Sequence, residues 1–166
     1  MTRFRKVLSL LNELKHRRII KDYTIGGGVA AYRYIERPTK DLDIFILLES
    51  QRALIDLSPI WNYLKGKGYS KWVGQYLLIE EYPIEFIPAK GLDEEAIKRA
   101  LVISYEGIRT KVMRPEYLIA IFLKVGRLKD KNRVRLMLAE VKLDKKLLMD
   151  ILSRYKLTRK LYEIER

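Results

Sequence analysis

The chain has 166 residues, of which 48% are hydrophobic and 33% are charged, as is typical of one soluble globular domain. A net charge of +13 favours phosphate-rich partners such as nucleotides or nucleic acids. The absence of cysteine and the single histidine exclude disulfides and zinc centres built on thiolates or histidines, and no apolar run can span a bilayer.

We therefore expect a cytoplasmic protein that does not associate with membranes. Any bound metal must use oxygen ligands, which favours Mg²⁺ or Mn²⁺ over zinc. The many lysines and glutamates are typical of thermophilic proteins.

The first half of the chain predicts alternating helices and strands. Apolar residues at helical spacing predict a first amphipathic helix, and three glycines end the short strand that follows. The helix after the glycines has to stop before Pro38. The predicted elements are a helix over 3–18, a strand over 22–25, a helix over 29–35, a strand over 41–48 and a helix over 52–65.

The second half begins with a predicted hairpin and ends in helices. Its predicted elements are strands over 71–81 and 82–89, a helix over 92–101, a strand over 108–113, and three helices over 115–126, 129 or 130 to 141, and 144–161. Together these elements predict an α/β (α+β) fold, with a small mixed sheet, flanking helices and a helical C-terminal part. We expect one compact unit, with a core over residues 1–113 and a helical region over 114–166 packed on it.

The segment "DLDIFI" carries two aspartates that should share one face of a strand. Side chains alternate along a strand, so Asp41 and Asp43 point the same way while Leu42 enters the core. Like charges this close repel each other, and a bound divalent cation relieves the repulsion. In "YPIEFIPA" the same alternation turns Glu85 away from the core, so a neighbouring strand could bring a third carboxylate to the cation.

The glycines of "IGGGVAA" provide the complementary half of a site. A glycine-rich turn that opens a helix exposes backbone N–H groups, which favour phosphate. The carboxylates and the turn would form one site if the two strands are neighbours. The three glycines equally fit a sharp strand-to-helix turn that needs positive φ.

These residues match a known pattern. The segment "IGGGVAAYRYIERPTKDLDIFI" resembles the signature of the nucleotidyltransferase superfamily related to DNA polymerase beta, in which a Gly-Gly or Gly-Ser pair, a helix and Asp-x-Asp follow one another. The run "R.T.DLDI" is most similar to the minimal branch that includes the AbiEii-type abortive-infection toxins. That branch commonly carries a glutamate, a lysine and a Lys-Asp pair in its helical half. The similar residues here are Glu116, Lys124, Lys129 and Asp130.

The resemblance implies a Mg²⁺-dependent (or Mn²⁺-dependent) transfer of a nucleoside monophosphate from an NTP to an acceptor hydroxyl. It implies that Asp41, Asp43 and Glu85 form the metal and catalytic site. The residues that it implies for nucleotide or phosphate binding are Gly26, Gly27, Gly28, Arg37, Thr39, Lys124, Lys129 and Asp130.

The sequence departs from the superfamily pattern at two positions. Gly28 occupies a position where Ser or Thr often supplies a hydroxyl to phosphate, and Glu85 is longer than the more usual Asp. Three alternatives therefore stay open. The chain could be a toxin that acts on tRNA or protein and is paired with an antitoxin protein, a catalytically inactive nucleotide-binding member, or a structural nucleic-acid-binding protein.

Several of the candidates also have plainer structural explanations. Glu85 could lie exposed on an edge hairpin, Lys124 could snorkel at the rim of an apolar helix face, and Asp130 could be a helix N-cap or first-turn acid. One basic run could be either a solvated face or a landing site for RNA or a nucleotide. That run consists of Arg127, Lys129, Lys131, Arg133 and Arg135.

Overall fold

The computed structural model describes residues 2–35, 40–49 and 54–166. The strands of this part are β1 (Asp22–Gly26), β2 (Leu42–Leu47), β3 (Trp72–Val73), β4 (Tyr76–Ile79), β5 (Tyr82–Pro88), β6 (Leu101–Tyr105) and β7 (Ile108–Val112). The helices are α1 (Arg3–His16), α2 (Gly27–Tyr32), α3 (Ser58–Gly66), α4 (Leu92–Lys98), α5 (Pro115–Val125), α6 (Leu128–Glu140), α7 (Lys145–Arg154) and α8 (Thr158–Glu165). None of these helices has the length and apolarity needed to cross a bilayer.

The seven strands form one mixed sheet in the order β3-β4-β5-β2-β1-β7-β6. The β1/β7 and β2/β5 pairs are parallel, and the other neighbouring pairs are antiparallel. The predicted α/β (α+β) fold with a mixed sheet is confirmed. β2 lies at the centre of the sheet and is hydrogen-bonded on both sides, as its almost continuous apolar sequence indicates.

Helices bury the apolar faces of the sheet. α1 packs against β1 and β7, whereas α2 and α4 pack against β1 and β2. α5 contacts α2 and α4 and is itself contacted by α6 and α7, and its residues from Pro115 to Leu123 are all buried. α5 therefore connects the C-terminal helices to the sheet, while the predicted boundary between residues 113 and 114 stays a prediction.

Four predicted elements differ from the structure. The helix predicted over 52–65 begins at Ser58, with residues 54–57 not helical, and the strand predicted over 71–81 is divided into β3 and β4 by a turn at Gly74 and Gln75. The helix predicted over 92–101 ends at Lys98, and the segment from Leu101 forms strand β6, paired with β7 through a turn in which Glu106 and Gly107 both have positive φ. Such a turn matches the twist of a hairpin. The helix predicted over 144–161 is two helices, because Lys156 adopts a φ of 57°, a left-handed conformation that a helix cannot continue through.

Candidate active site

A row of three predicted site residues crosses the centre of the sheet. Gly26 of β1 lies opposite Asp43 of β2, and Asp43 lies opposite Glu85 of β5. Paired residues on neighbouring strands project their side chains to the same face, so the two carboxylates are adjacent. Asp41 lies two residues before Asp43 and lines the same cleft, together with Phe45. The strand order thus brings together the glycine turn and the carboxylates.

Position 27 requires a glycine, both because of its backbone conformation and because Asp43 lies next to it. Its φ is +59°, and a Cβ at this position would lie 1.9 Å from Oδ2 of Asp43. No side chain fits between the turn and the carboxylate, so the backbone of the turn lies directly against Asp43. Gly28 is buried and also lines the cleft, where it offers backbone but no hydroxyl.

Asp43 is electrostatically strained. Burial is the main cause that raises its pKa from 3.8 to about 6, and the negative charges of Glu85 and Asp41 raise it further. The charges of Arg127 and Arg133 act in the opposite direction. Glu85 and Asp41 are therefore close enough to Asp43 to destabilise its negative charge.

A basic wall faces the carboxylates across a cleft of about 260 Å³. This wall consists of Arg127, Lys129 and Arg133, from the start of α6 and the residue before it. The guanidinium of Arg133 also lies 5.5 Å from the ring centroid of Phe122, a cation–π distance. The cleft thus has an acidic side on the sheet and a basic side on α6.

Asp130 lies behind the basic wall and holds it in position. Its side chain is fully buried, and its Oδ2 accepts a hydrogen bond of 2.7 Å from Nε of Arg127. Its Oδ1 accepts bonds of 3.2 Å from Nη2 of Arg127 and 3.5 Å from Nη1 of Arg133. The backbone N–H of Arg127 also donates to Oδ2, as at a helix N-terminus. Asp130 is absent from the cleft lining, so it acts on the site through the two arginines.

The polar cleft residues that the sequence did not indicate include Gln75, in the turn before β4, and Tyr76, the first residue of β4. Burial raises the pKa of Tyr76, and the charges of Asp41, Glu85 and Asp43 raise it further, so this phenol lies near the acidic side. The segment "WVGQYLL" carries no motif that signals this position. It reaches the cleft only because β4 pairs with β5.

The remaining predicted residues lie in different places. Lys124 is 3.7 Å from Oδ1 of Asp93 in α4 and is not among the residues that line the cleft. Glu116 is buried and accepts a hydrogen bond from the backbone N–H of Asp144, away from the carboxylate row. Arg37 and Thr39 lie outside the described residues.

The donor chemistry of the cleft fits a hard cation. Asp41, Asp43 and Glu85 offer only carboxylate oxygens, which are the ligands of Mg²⁺ and Mn²⁺, and their mutual repulsion favours a positive ion. Across residues 2–35, 40–49 and 54–166, no three Asp, Glu or His side chains already converge into a metal-binding group. The cleft therefore offers the ligand type and the charge that such a cation needs, but not a closed coordination shell.

The fold, a mixed sheet with flanking helices, is shared with nucleotidyltransferase-like proteins of known structure. The chain is similar over 98% of its length to 91% of a nucleotidyltransferase-like antigenic protein from Paracoccidioides brasiliensis, with a TM-score of 0.54 and 15% identity. No family model matches the sequence, and no curated protein matches it.

Two structures of ANT(2'')-Ia share the same fold. The structure in complex with adenylyl-2''-tobramycin has a TM-score of 0.53 and 16% identity, over 90% of this chain and 99% of that one. The solution structure of this antibiotic-resistance factor has a TM-score of 0.53 and 15% identity, over 98% and 97% of the two chains. At these identities the similarity establishes the fold alone.

Proposed function

We propose that the protein is a divalent-cation-dependent nucleotidyltransferase, which moves a nucleoside monophosphate from an NTP to an acceptor hydroxyl and releases pyrophosphate. One observation carries the proposal. The carboxylates of Asp41, Asp43 and Glu85, here called the acidic row, face the basic wall across a single cleft. A nucleoside triphosphate with its divalent cation needs both, because the cation binds to carboxylates and the remaining phosphate charge binds to arginine and lysine.

Asp41, Asp43 and Glu85 would hold Mg²⁺ or Mn²⁺. The bound cation would neutralise charge on the triphosphate and favour attack at the α-phosphorus. Glu85 would take the proton of the acceptor hydroxyl. The acceptor oxygen then forms a bond to the α-phosphorus, the bond from this phosphorus to the oxygen that bridges to the β-phosphorus breaks, and pyrophosphate leaves with the electron pair.

The phosphates would lie between the glycine turn and α6. The backbone at Gly27 and Gly28 can approach them closely because neither residue has a side chain, while Arg127, Lys129 and Arg133 neutralise their charge. Positioning and charge neutralisation supply most of the rate in phosphoryl transfer, so the site needs neither cysteine nor histidine.

A finer assignment rests on sequence resemblance alone. The run "R.T.DLDI" and the Lys129-Asp130 pair resemble the AbiEii-type branch, which makes a toxin with a protein antitoxin the more specific form of the proposal. Co-purification of the chain with the product of an adjacent gene, and loss of transfer in that complex, would support this form. A neighbouring product that neither binds nor inhibits would contradict it.

Thermal unfolding and label transfer test the main proposal. We expect NTP with Mg²⁺ to raise the Tm, because a ligand that binds only the folded state stabilises it, and we expect label from an α-labelled NTP to reach an acceptor. The double variant Asp41→Asn/Asp43→Asn should lose both effects, with transfer reduced by about 100-fold or more.

The matched control is Asp56→Asn/Asp150→Asn, which also removes two aspartate charges, but from exposed positions outside the cleft. It should bind and transfer like the wild type. Unchanged transfer in Asp41→Asn/Asp43→Asn would overturn the assignment of the site. Mg²⁺-dependent NTP binding without transfer to any nucleic-acid, protein or small-molecule acceptor would favour the inactive nucleotide-binding alternative.

A further inference from the structure

A second groove lies beside the cleft, with a volume of about 290 Å³. It is formed by α5, α6 and α8 and is lined by the basic side chains Lys131, Arg135 and Lys160. One carboxylate, that of Glu163, also lines it, and this group is 3.4 Å from Nε of Arg159. The groove therefore carries a net positive charge.

The groove and the cleft lie on the two flanks of one helix. Asp130, Val134 and Met137 are the buried residues of α6. Lys129 and Arg133 on one flank line the cleft, and Lys131 and Arg135 on the other flank line the groove. An α-helix with its side chains is about 10 Å across, so only this width separates the two sets of cations.

The two depressions meet at the corner between α5 and α6. Val125 lines both of them, and its side chain is 53% exposed. Leu128, the first residue of α6, is 74% exposed. Both side chains are apolar, so their burial under a ligand bound at this corner would be favourable.

The groove cations have no acidic partner of their own. In the part of the chain that the structure describes, no ion pair is formed by Lys131, Arg135 or Lys160, and Arg135 donates only to the side-chain oxygen of Asn132. By contrast, Lys111 of β7 and Lys124 of α5 each have a carboxylate partner. The groove thus keeps its charge available for an external anion.

We infer that this groove binds the acceptor, and that the acceptor is the 3′ end of a single-stranded nucleic acid. The inference rests on the proposed function and names its acceptor class. The terminal hydroxyl lies in the cleft beside Glu85, and the strand passes Val125 at the corner between α5 and α6. The preceding phosphates bind Lys131, Arg135 and Lys160. The unpaired cations track the strand without reading its sequence.

Size and charge disfavour two other kinds of acceptor at this site. A duplex is too wide to enter depressions of 260 to 290 Å³, whereas a single strand fits them. An amine-rich acceptor such as an aminoglycoside would bring positive charge against the groove cations, and like charges repel. The fold shared with ANT(2'')-Ia therefore does not imply a shared acceptor.

Fluorescence anisotropy with short labelled oligonucleotides tests the inference without catalysis. The probes are single-stranded RNA, single-stranded DNA and a duplex, each titrated over a salt series. We expect single strands to bind more tightly than the duplex. The variant Lys131→Gln/Arg135→Gln/Lys160→Gln should weaken binding by about tenfold or more, and should reduce the slope of log K against log salt by about 2 for three lost contacts.

The matched control Lys65→Gln/Lys90→Gln/Arg109→Gln removes two lysines and one arginine that are exposed and lie outside both depressions. It should retain the affinity and salt slope of the wild type to within about twofold. Equal losses in the two triple variants, or tighter binding of the duplex, would overturn the inference. The tighter of the two single strands identifies RNA or DNA as the source of the acceptor.

Failure of the inference and failure of the proposed function give different results. The groove variant should keep the Mg²⁺-dependent rise in Tm with NTP while it loses transfer to an oligonucleotide with a free 3′ hydroxyl. An oligonucleotide blocked by a 3′ phosphate should bind and receive no label. If tobramycin accepts label and the oligonucleotides do not, the acceptor inference fails while the nucleotidyltransferase proposal stands.

Discussion

Two carboxylates, Asp22 and Asp130, each hold a pair of basic side chains, but in regions that use these charges differently. Asp22 lies 3.0 Å from Nζ of Lys15 and 2.6 Å from Nζ of Lys111, where α1 meets β1 and β7. These contacts join α1 to the two strands on which it packs. Asp130 holds Arg127 and Arg133, which line the cleft opposite the acidic row.

The same arrangement, one carboxylate with two basic side chains, thus stabilises packing around Asp22 and orients two arginines around Asp130. Around Asp22, Lys15 and Lys111 are paired with the carboxylate and do not line the cleft. Around Asp130 one carboxylate sets the direction of two guanidinium groups whose remaining N–H donors stay available. A net charge of +13 does not locate a binding site, whereas the distribution of ion pairs does.

The largest expected effect comes from closing the space beside Asp43. Gly27→Ala adds a Cβ that meets Oδ2 of Asp43, whereas Gly74→Ala has the same φ of +59° and open space around it. Both variants bear a backbone cost of about 1 to 2 kcal/mol. Only Gly27→Ala should reduce nucleotidyl transfer by about 100-fold or more, because the reacting groups are displaced.

Steady-state kinetics and thermal unfolding of the two glycine variants separate displacement from strain. Gly74→Ala should lower the Tm and leave kcat/KM within about twofold of the wild type. Equal losses of activity in both would show that backbone strain, rather than contact with Asp43, is the important property of the turn.

The comparison of Asp22 with Asp130 can be tested directly. Asp22→Asn and Asp130→Asn each weaken two charge-assisted contacts, and each should lower the free energy of unfolding by about 1 to 3 kcal/mol. Only Asp130→Asn should also raise the KM for NTP, by about tenfold, because Arg127 and Arg133 lose their common anchor. A raised KM in both variants, or in neither, would remove the positioning role from Asp130.

A smaller effect distinguishes the two regions by pH. The raised pKa of Asp43, about 6, means that the folded protein keeps a proton which the unfolded chain releases above about 3.8. Stability is therefore lost as pH rises through this window. Asp43→Asn should raise the Tm by about 2 °C or more at pH 7.5, and should have almost no effect near pH 4.

Asp22 should behave in the opposite way. Burial raises its pKa, but hydrogen bonds from Lys111, Lys15 and the backbone of Tyr23 outweigh burial and lower the pKa below its ordinary value. Its contribution to stability is present above that ordinary value and is lost as pH falls through the folded-state pKa. Asp22→Asn should therefore lower the Tm at pH 7.5. Thermal scans from pH 3.5 to 8 check both signs, and parallel pH profiles would contradict the comparison.

The acidic half of the site could be predicted from sequence because it depends on local periodicity. Alternation along a strand fixes the common face of Asp41 and Asp43, and the apolar residues around Glu85 fix its direction. The pairing of β2 with both β1 and β5 could not be read from these patterns. It depends on strand order, which is set by packing over the whole sheet.

The basic half of the site was harder to predict, because successive charged residues on a helix point in different directions around the helix axis. The sequence offered Lys124, Lys129 and Asp130 as phosphate-binding residues. In the structure Lys129 lines the cleft, Asp130 is buried behind it, and Lys124 pairs with Asp93. Tyr76 reaches the cleft only through strand pairing, so no local signal could identify it.

Because β2 is the central strand, substitutions are tolerated less well at the acidic row than at the groove. Asp43 is held by hydrogen-bonded strands on both sides, so the acidic row cannot shift without disrupting two ladders. Lys131, Arg135 and Lys160 are exposed residues on surface helices, where substitutions cost little stability. Descendants of such a chain can thus acquire a new acceptor through surface substitutions while they inherit the chemistry unchanged.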